Sequence, residues 1–383
     1  MSSLIYLDYA ATTPMDPAVA DVLTSFLTID GCFANPASRS HMLGWQAEAA
    51  VEKARKQVAT LIGADTREIV WTSGATEANN LAIKGYLEQF KGLGGHIITS
   101  ATEHKAVLDC FEYMEQLGFD VTYIVPDVSG RITSELVAPL IRKDTRLLSF
   151  MHVNNETGVI NDIEGIANLA SGSDIVFHVD AAQSVGKLEI DLQNTPVDLM
   201  SMCAHKIYGP KGVGALYVRR REGLSIAPLI HGGGHERGMR SGTLATHQIA
   251  AMGESFAVAG ALMTSEQDAV QTLRSCFLND LSGTSAITLN GDQEFCVPGI
   301  VNFSVSGIDG PVLLTALPQL AISSGSACTS ASLSPSHVLT AMGVSSELAL
   351  ASLRVSFGRF STASELVEAA RVINAVVARA CEG

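Results

Sequence analysis

Three residues of this 383-residue chain sit where their side chains could do chemistry. Lys206 follows the apolar run 199–203 and precedes the turn Gly209-Pro210-Lys211-Gly212. In a dry pocket a lysine loses part of its preference for the charged form and can form a Schiff base. On a surface it would be an ordinary solvated cation. Asp180 closes the strongly apolar run 175–179. A carboxylate there is costly unless it meets a cation or hydrogen-bond donors, so it is either a helix cap or the partner of something positive, such as a protonated pyridinium. Cys328 lies in the stretch Ser326-Ala327-Cys328-Thr329-Ser330-Ala331-Ser332, with no large apolar neighbour to pack against. That setting suits either a reactive thiolate that reaches and withdraws or an incidental loop cysteine.

A fourth motif is Thr72-Ser73-Gly74-Ala75-Thr76-Glu77-Ala78-Asn79. An apolar strand stops, a glycine turns the chain, and a helix begins. The free N–H groups of such a helix start suit a phosphate, with the Thr76 hydroxyl in support. Alternatively Ser73 or Thr76 simply caps the helix. His104, just past the run 96–100, could stack on a cofactor or move protons. Asn155 follows another strand, and Arg354 could hold a carboxylate through two hydrogen bonds. Alone, each of these has an ordinary structural reading. In chain order, however, a phosphate cradle, a strand-end aspartate and a candidate Schiff-base lysine form the set that pyridoxal phosphate requires. The glycine-rich stretch His231-Gly232-Gly233-Gly234-His235 lacks the carboxylate or thiol spacing of a metal site.

The elements that must position these groups are legible as an alternation. Short β-branched runs at 68–72, 96–100, 120–125, 147–152, 175–179, 199–203 and 214–218 alternate with helical stretches at 44–61, 76–90, 105–117, 134–141 and 163–170. This predicts an α/β fold with a mostly parallel seven-stranded sheet, with its site outside the carboxyl ends of the strands. A long helix over 243–281 follows. After it come shorter strands near 300–305, 321–323 and 353–356 and a helix near 334–342. A final helix is announced by the capping pair Thr362 and Glu365. We read residues 15–260 as a large cofactor-binding domain. Residues 1–14 and 261–383 form a smaller α+β domain carrying Cys328.

Bulk composition narrows the function classes. Hydrophobic residues make up 47% and charged residues 17%, enough apolar material for a sizeable core. The formal charge of −14 argues against indiscriminate binding to nucleic acid or anionic membrane. No apolar run approaches the length that spans a bilayer, and residues 1–8 lack the features of a secretory signal, so a cytoplasmic location is expected. The seven cysteines are odd in number and include no C-x-x-C pair, a poor fit to a disulfide framework.

These residues closely resemble the NifS/IscS family of cysteine desulfurases, from Tyr6-Leu7-Asp8-Tyr9-Ala10-Ala11-Thr12-Thr13-Pro14 to about Phe360. The resemblance rests on Asn35-Pro36-Ala37-Ser38, Thr102-Glu103-His104, His152-Val153-Asn154-Asn155-Glu156, His205-Lys206, the segment 232–243 and the serine-rich stretch 323–332. The resemblance implies a pyridoxal-phosphate-dependent, fold-type I, aspartate-aminotransferase-like homodimer that converts L-cysteine to L-alanine. Lys206 would carry the internal aldimine and abstract the Cα proton. Asp180 would pair with the pyridine nitrogen, Gln183 would bond the ring hydroxyl, and His104 would stack on the ring and help move protons. Ala75, Thr76, Cys203, Ala204 and His205 would surround the phosphate, with Thr243 reaching in from the second subunit. Asn155 and Arg354 would hold the substrate carboxylate, and Cys328 would take the sulfur as a persulfide and pass it to an acceptor protein. A selenocysteine lyase or another fold-type I enzyme would share the lysine and aspartate without needing such a cysteine loop.

Two departures qualify the resemblance. Cys203 stands where the family usually has serine, a stronger donor to phosphate, which predicts altered cofactor affinity. The chain stops at Gly383, where IscS proteins continue with a tail that docks the iron–sulfur scaffold. That difference directs the expectation towards a specialised acceptor, such as a tRNA-thiolation or DNA-phosphorothioation protein.

Overall fold

The computed structural model describes residues 4–281, 285–324 and 334–382. Its first half runs β1 (Ile5–Tyr6), α1 (Pro17–Thr24), α2 (Met42–Leu61), β2 (Ile69–Thr72), α3 (Ala75–Leu87), β3 (His96–Ser100), α4 (Lys105–Gln116), β4 (Asp120–Ile124), α5 (Ser134–Val137), β5 (Thr145–Met151), α6 (Ile163–Gly172), β6 (Val176–Asp180), β7 (Leu199–Cys203) and β8 (Gly214–Val218). Then come α7 (Thr246–Leu281), β9 (Ile287–Leu289), β10 (Ile300–Val305), α8 (Gly310–Thr315), β11 (Leu320–Ala321), β12 (Ser323–Ser324), α9 (His337–Ala341), α10 (Ser346–Leu350), β13 (Ser352–Ser356) and α11 (Ala363–Glu382).

Seven strands form the main sheet in the order β2-β8-β7-β6-β5-β3-β4. The pairs from β7 to β4 are parallel, and β8 runs against both of its neighbours. The strands are apolar on both faces, as a doubly covered sheet demands. Alternate residues separate cleanly. Ile69, Trp71, Ala215, Tyr217, Leu148, Phe150, Phe177 and Val179 enter one core, against α2, α6 and the start of α7. Val70, Leu216, Val218, Ile97, Leu147 and Val176 enter the other, against α3 and α4. Because β2 is antiparallel to β8 and β8 to β7, the carboxyl ends of β2, β7, β6, β5 and β3 all face the same edge. That edge holds Thr72, Cys203, Asp180, Met151 and Ser100.

A separate core is built by β10, β13, α11 and the end of α7, with Phe277, Phe303, Val355, Leu366 and Ile373 at its centre. There β12-β13-β10-β9 form an antiparallel sheet. Helix α7 is 36 residues, about 54 Å at 1.5 Å per residue. It puts Ile249, Met252 and Phe256 into the first core and Val270, Phe277 and Leu281 into this one. The boundary read at residue 260 falls inside this continuous helix. It begins at Thr246 rather than at 243, since residues 243–245 are not helical. The N-terminal segment crosses over: β1 pairs in parallel with β11, and Asp8 bridges Ser356.

Three short helices escaped the sequence reading, α1, α8 and α10. Each is eight residues or fewer and starts from a side-chain cap, at Asp16, Asp309 and Ser345 respectively. So few residues give no apolar period to read.

Candidate active site

The strand ends open onto a cavity of about 600 Å³. Of the residues singled out above, Ala75, Thr76, His104, Asn155, Asp180, Gln183, Cys203, His205, Lys206 and Arg354 line it. Ala204 does not: it is fully buried in the sheet core, and its N–H is donated to the Val213 carbonyl at 3.3 Å. An amide so used is not available to a phosphate. Thr243 is exposed and lies outside the lining of this chain's cavity. Cys328 lies outside the described residues.

The phosphate-cradle motif forms as a helix start without a side-chain cap. Gly74 occupies the N-cap position of α3 with φ +155°, and neither Ser73 nor Thr76 caps the helix. The first-turn amides, bearing the positive end of the helix dipole, therefore remain for a ligand anion. Gly214 on β8 makes this turn possible. A Cβ there would lie 2.5 Å from the Met202 carbonyl oxygen and 2.6 Å from the Gly74 Cα. Cys203 and His205 close the opposite wall. Burial raises the Cys203 thiol to about 11, so it stays neutral, and burial followed by the charge of Lys206 lowers His205 to about 4.

Asp180, at the end of β6, accepts from Ala182 N–H at 2.9 Å and from Asn79 Nδ2 at 2.7 Å. Asn79 lies on α3 and has its other amide atom, Oδ1, buried without a partner. It orients the aspartate from 101 positions away in the chain. The sequence included it in a motif without giving it a role. Asp180 is 6% exposed, and its carboxylate forms part of the cavity wall. Lys206 follows β7 and points its Nζ at the carbonyls of Ala10 and Ala11, the latter at 2.8 Å. Gln183 donates from Nε2 to the same Ala10 carbonyl at 2.8 Å. The backbone of the N-terminal segment thus completes the lysine's surroundings.

His104 caps α4. Its Nδ1 accepts from Ala106 N–H at 3.0 Å, which leaves the proton of the neutral ring on Nε2. Arg354, on β13, is 2% exposed. Its Nη1 donates to the Asn155 carbonyl at 2.9 Å, and its Nη2 to Asp8 Oδ1 at 2.8 Å and Ser323 Oγ at 3.2 Å. Arg354 Nε and Asn155 Oδ1 are both buried without a partner among the described residues, two orphaned polar atoms on residues that line the cavity.

Behind the wall lie two buried acids. Glu103 accepts from Met151 N–H at 2.9 Å, and burial holds its carboxyl well above the usual range. Glu156 accepts from Ser336 Oγ at 2.5 Å, and burial pushes it up to about 7 against the opposing pull of Ser336, Arg354 and His104. His337 Nε2 meets the Glu103 carbonyl at 2.9 Å. Among the described residues that flank Cys328, Ser323 is thus tied to Arg354 and Asp8, and Ser336 and His337 to the back of the cavity.

A lysine, a strand-end carboxylate, an uncapped helix start and a buried arginine thus surround one cavity. Residues 5–368 match the aminotransferase class-V family, and the chain belongs to it. A cysteine desulfurase IscS from Shewanella sediminis is 56% identical over 370 residues, covering 97% of this chain and 92% of that protein. A NifS-like protein of known structure superposes with a TM-score of 0.89 at 33% identity, covering 98% of this chain and 100% of its own. A structure described as SspA in complex with cysteine superposes at 0.83 with 40% identity, over 94% and 100% of the two chains. Within its family the chain belongs to the cysteine desulfurases, pyridoxal-phosphate-dependent enzymes of sulfur transfer.

Among the described residues, no helix is long and apolar enough to cross a membrane.

Proposed function

We propose that this cysteine desulfurase holds pyridoxal 5'-phosphate through Lys206 and delivers the sulfur of L-cysteine to Cys328. The observation that carries the reading is the convergence of Lys206, Asp180, the uncapped start of α3 and Arg354 on one cavity. The donor set fits the cofactor group by group. The amides of Ala75 and Thr76, with Thr76 Oγ1 and His205, suit a phosphate. Asp180, already oriented by Asn79, has the charge to pair with a ring nitrogen. The second Nε2–H of Gln183 suits a ring oxygen. Gly74 has no atom within 4 Å of a Cβ built on it, so the cradle leaves room for close backbone approach.

When bound, the cofactor supplies an electron sink for the Cα carbanion of the substrate. The remaining steps belong to side chains. Arg354 Nε and Asn155 Oδ1 have unspent hydrogen-bonding capacity where the substrate carboxylate and amino group would enter. Lys206, once freed by substrate, is the base that takes the Cα proton. His104, its ring fixed by Ala106, covers the cofactor face and carries protons through Nε2. The Cys328 thiolate attacks the substrate sulfur. A sulfur–sulfur bond forms, the carbon–sulfur bond breaks with its electron pair going to Cβ, and protonation at Cβ with return of the proton from Lys206 to Cα gives alanine. The persulfide on Cys328 then passes its outer sulfur to an acceptor protein, in iron–sulfur cluster assembly, tRNA thiolation or DNA phosphorothioation. The exposed Thr243 is read as completing the phosphate site of a second copy in a homodimer. Residues 15–260 are read as the cofactor-binding domain, with residues 1–14 and 261–383 as the smaller one.

The test is purified protein given L-cysteine and a reductant. It should be yellow and release alanine and sulfide in equal amounts. Cys328→Ala should keep the colour and lose sulfide release. Full sulfide release by that variant overturns the role of Cys328, and a colourless protein that takes up no pyridoxal phosphate overturns the cofactor reading.

A further inference from the structure

Behind the main cavity lies a small apolar one of about 50 Å³, with Met263, Val270, Val297 and Phe357 in its wall. Lys206 borders both cavities. Lys187 borders only the small one, and Gln183 only the large one. Lys187 is thus half-buried beside a mostly apolar cavity whose wall also includes Glu266 and Gln267. A charged ammonium is costly in such a place. Burial is the largest influence on it and lowers it to about 8. Of the charged and titratable groups around it, Lys206 and Arg354 oppose its charge, and Cys203 and Glu266 favour it.

Its hydrogen bond explains what the lysine does there. Lys187 Nζ donates to Gln183 Oε1 at 2.8 Å, while Gln183 Nε2 donates to the Ala10 carbonyl at 2.8 Å. A carboxamide is nearly symmetric in shape, and its two orientations differ only by what each end meets. Here the orientation is unique. Turning the amide over would set Oε1 against the Ala10 carbonyl and the NH₂ group against an ammonium. With Oε1 and one Nε2–H committed, the second Nε2–H is left for the large cavity. Lys187 and Gln183 are four residues apart, so one turn of chain couples the apolar hole to the cofactor site.

We propose that Lys187 is a positioning residue: it fixes the Gln183 carboxamide so that an N–H, not a carbonyl oxygen, faces the ring oxygen of the cofactor. This rests on the cofactor reading given above. A donor at that oxygen stabilises its negative charge and disfavours the protonated form of the bound cofactor. Removing the lysine leaves the Ala10 carbonyl as the amide's one restraint among these contacts, so the donor is held less firmly toward the ring oxygen and the protonated form persists to higher pH.

The experiment is a pH titration of the cofactor's visible absorbance in the holoenzyme. Lys187→Met should move the midpoint upward by about one pH unit. Gln183→Leu should move it in the same direction. Lys187→Arg, which keeps a cationic donor, should stay within about 0.3 of the wild-type midpoint. In the Gln183→Leu background, adding Lys187→Met should move the midpoint by less than half of its effect alone, because the amide it acts through is gone. An unmoved midpoint in Lys187→Met overturns the proposal. So does a full shift in the Gln183→Leu background, or a shift in Lys187→Arg as large as in Lys187→Met. A wild-type protein without cofactor absorbance would refute the cofactor reading instead, so the two failures are distinct. Should Lys187→Met not fold, Lys187→Arg and Gln183→Leu still give the comparison: an unmoved midpoint in Gln183→Leu overturns the proposal.

Discussion

Glu156 offers a stability measurement whose outcome can be worked out beforehand. The residue is 4% exposed, and burial raises its carboxyl from 4.5 to about 7. The folded state therefore holds this proton over a range of pH in which the unfolded chain has released it. Where the native state binds more protons, stability falls as pH rises. Below pH 4.5 both states are protonated and the residue costs nothing by this route. The penalty grows through pH 4.5–7 and then levels off. At about 1.4 kcal/mol for each pH unit between the two values, it approaches about 3.4 kcal/mol, of which about 2–3 kcal/mol develops between pH 5 and pH 8. Glu156→Gln removes the titration while keeping an acceptor for the Ser336 hydroxyl. Its NH₂ group needs an acceptor of its own, so a constant offset of about 1–3 kcal/mol against the variant is expected. The pH dependence is free of that offset. Urea unfolding followed by tryptophan fluorescence, for both proteins from pH 5 to pH 8.5, should show the variant gaining about 2–3 kcal/mol on the wild type across that interval. A difference that does not change with pH, or one that favours the wild type more as pH rises, would refute the reasoning.

Two further perturbations test the frame around the site. Gly214→Ala should push Gly74 away from β8 and spoil the cradle. An overpacking cost of about 1.4–3 kcal/mol corresponds to about a tenfold to hundredfold weaker hold on pyridoxal phosphate, read by titrating the cofactor-free protein; unchanged affinity would show that the turn can shift freely. Glu236 accepts two hydrogen bonds from Arg55, at 2.8 and 3.0 Å, and one from Trp71 N–H at 2.9 Å, with the two side chains 3% and 5% exposed. Glu236→Ala leaves Arg55 with the half-exposed Glu52 and the Ile69 carbonyl and should cost about 3 kcal/mol in urea unfolding, whereas Arg55→Met with Glu236→Leu should cost clearly less, and equal losses would contradict this.

The parts of the site readable in the sequence are those whose chemistry is local. Asp180 ends an apolar strand, Lys206 follows one, and a glycine separates β2 from α3, so each announces itself by its own neighbours. The capping alternative for Ser73 and Thr76 was open on sequence and is not what forms. Other parts depend on pairings that no local pattern records. Asn79 reaches Asp180, and Arg354 reaches Asp8 across 346 positions. Lys187 looks in sequence like a surface lysine after a glycine, and only the packing of α7 and β10 around it shows its enclosure. Ala204 sits between two residues of the cavity wall, just past β7, yet its side chain packs into the core. The long helix reads from 243 in the sequence, and its first helical residue is Thr246.

The N-terminal segment has a consequence for how the enzyme is made. Leu7 accepts from Ser356 N–H at 2.8 Å, Ala10 N–H donates to Ser356 Oγ at 2.8 Å, and the Ala10 and Ala11 carbonyls receive Lys206. Residues 7–10 thus gain these bonds only when β13 has been translated, although Thr13 and Asp16 of the same segment bond the His205 and Tyr208 carbonyls without it. The main sheet can form much earlier, since chains fold from the N-terminus as they emerge. Throughout that interval Lys206 and Gln183 lack the Ala10 carbonyl that holds them. A polypeptide released before β13 would carry Lys206 but neither Arg354 nor the Ser356 contacts that hold Leu7 and Ala10. The enzyme thereby couples the assembly of its site to the arrival of β13.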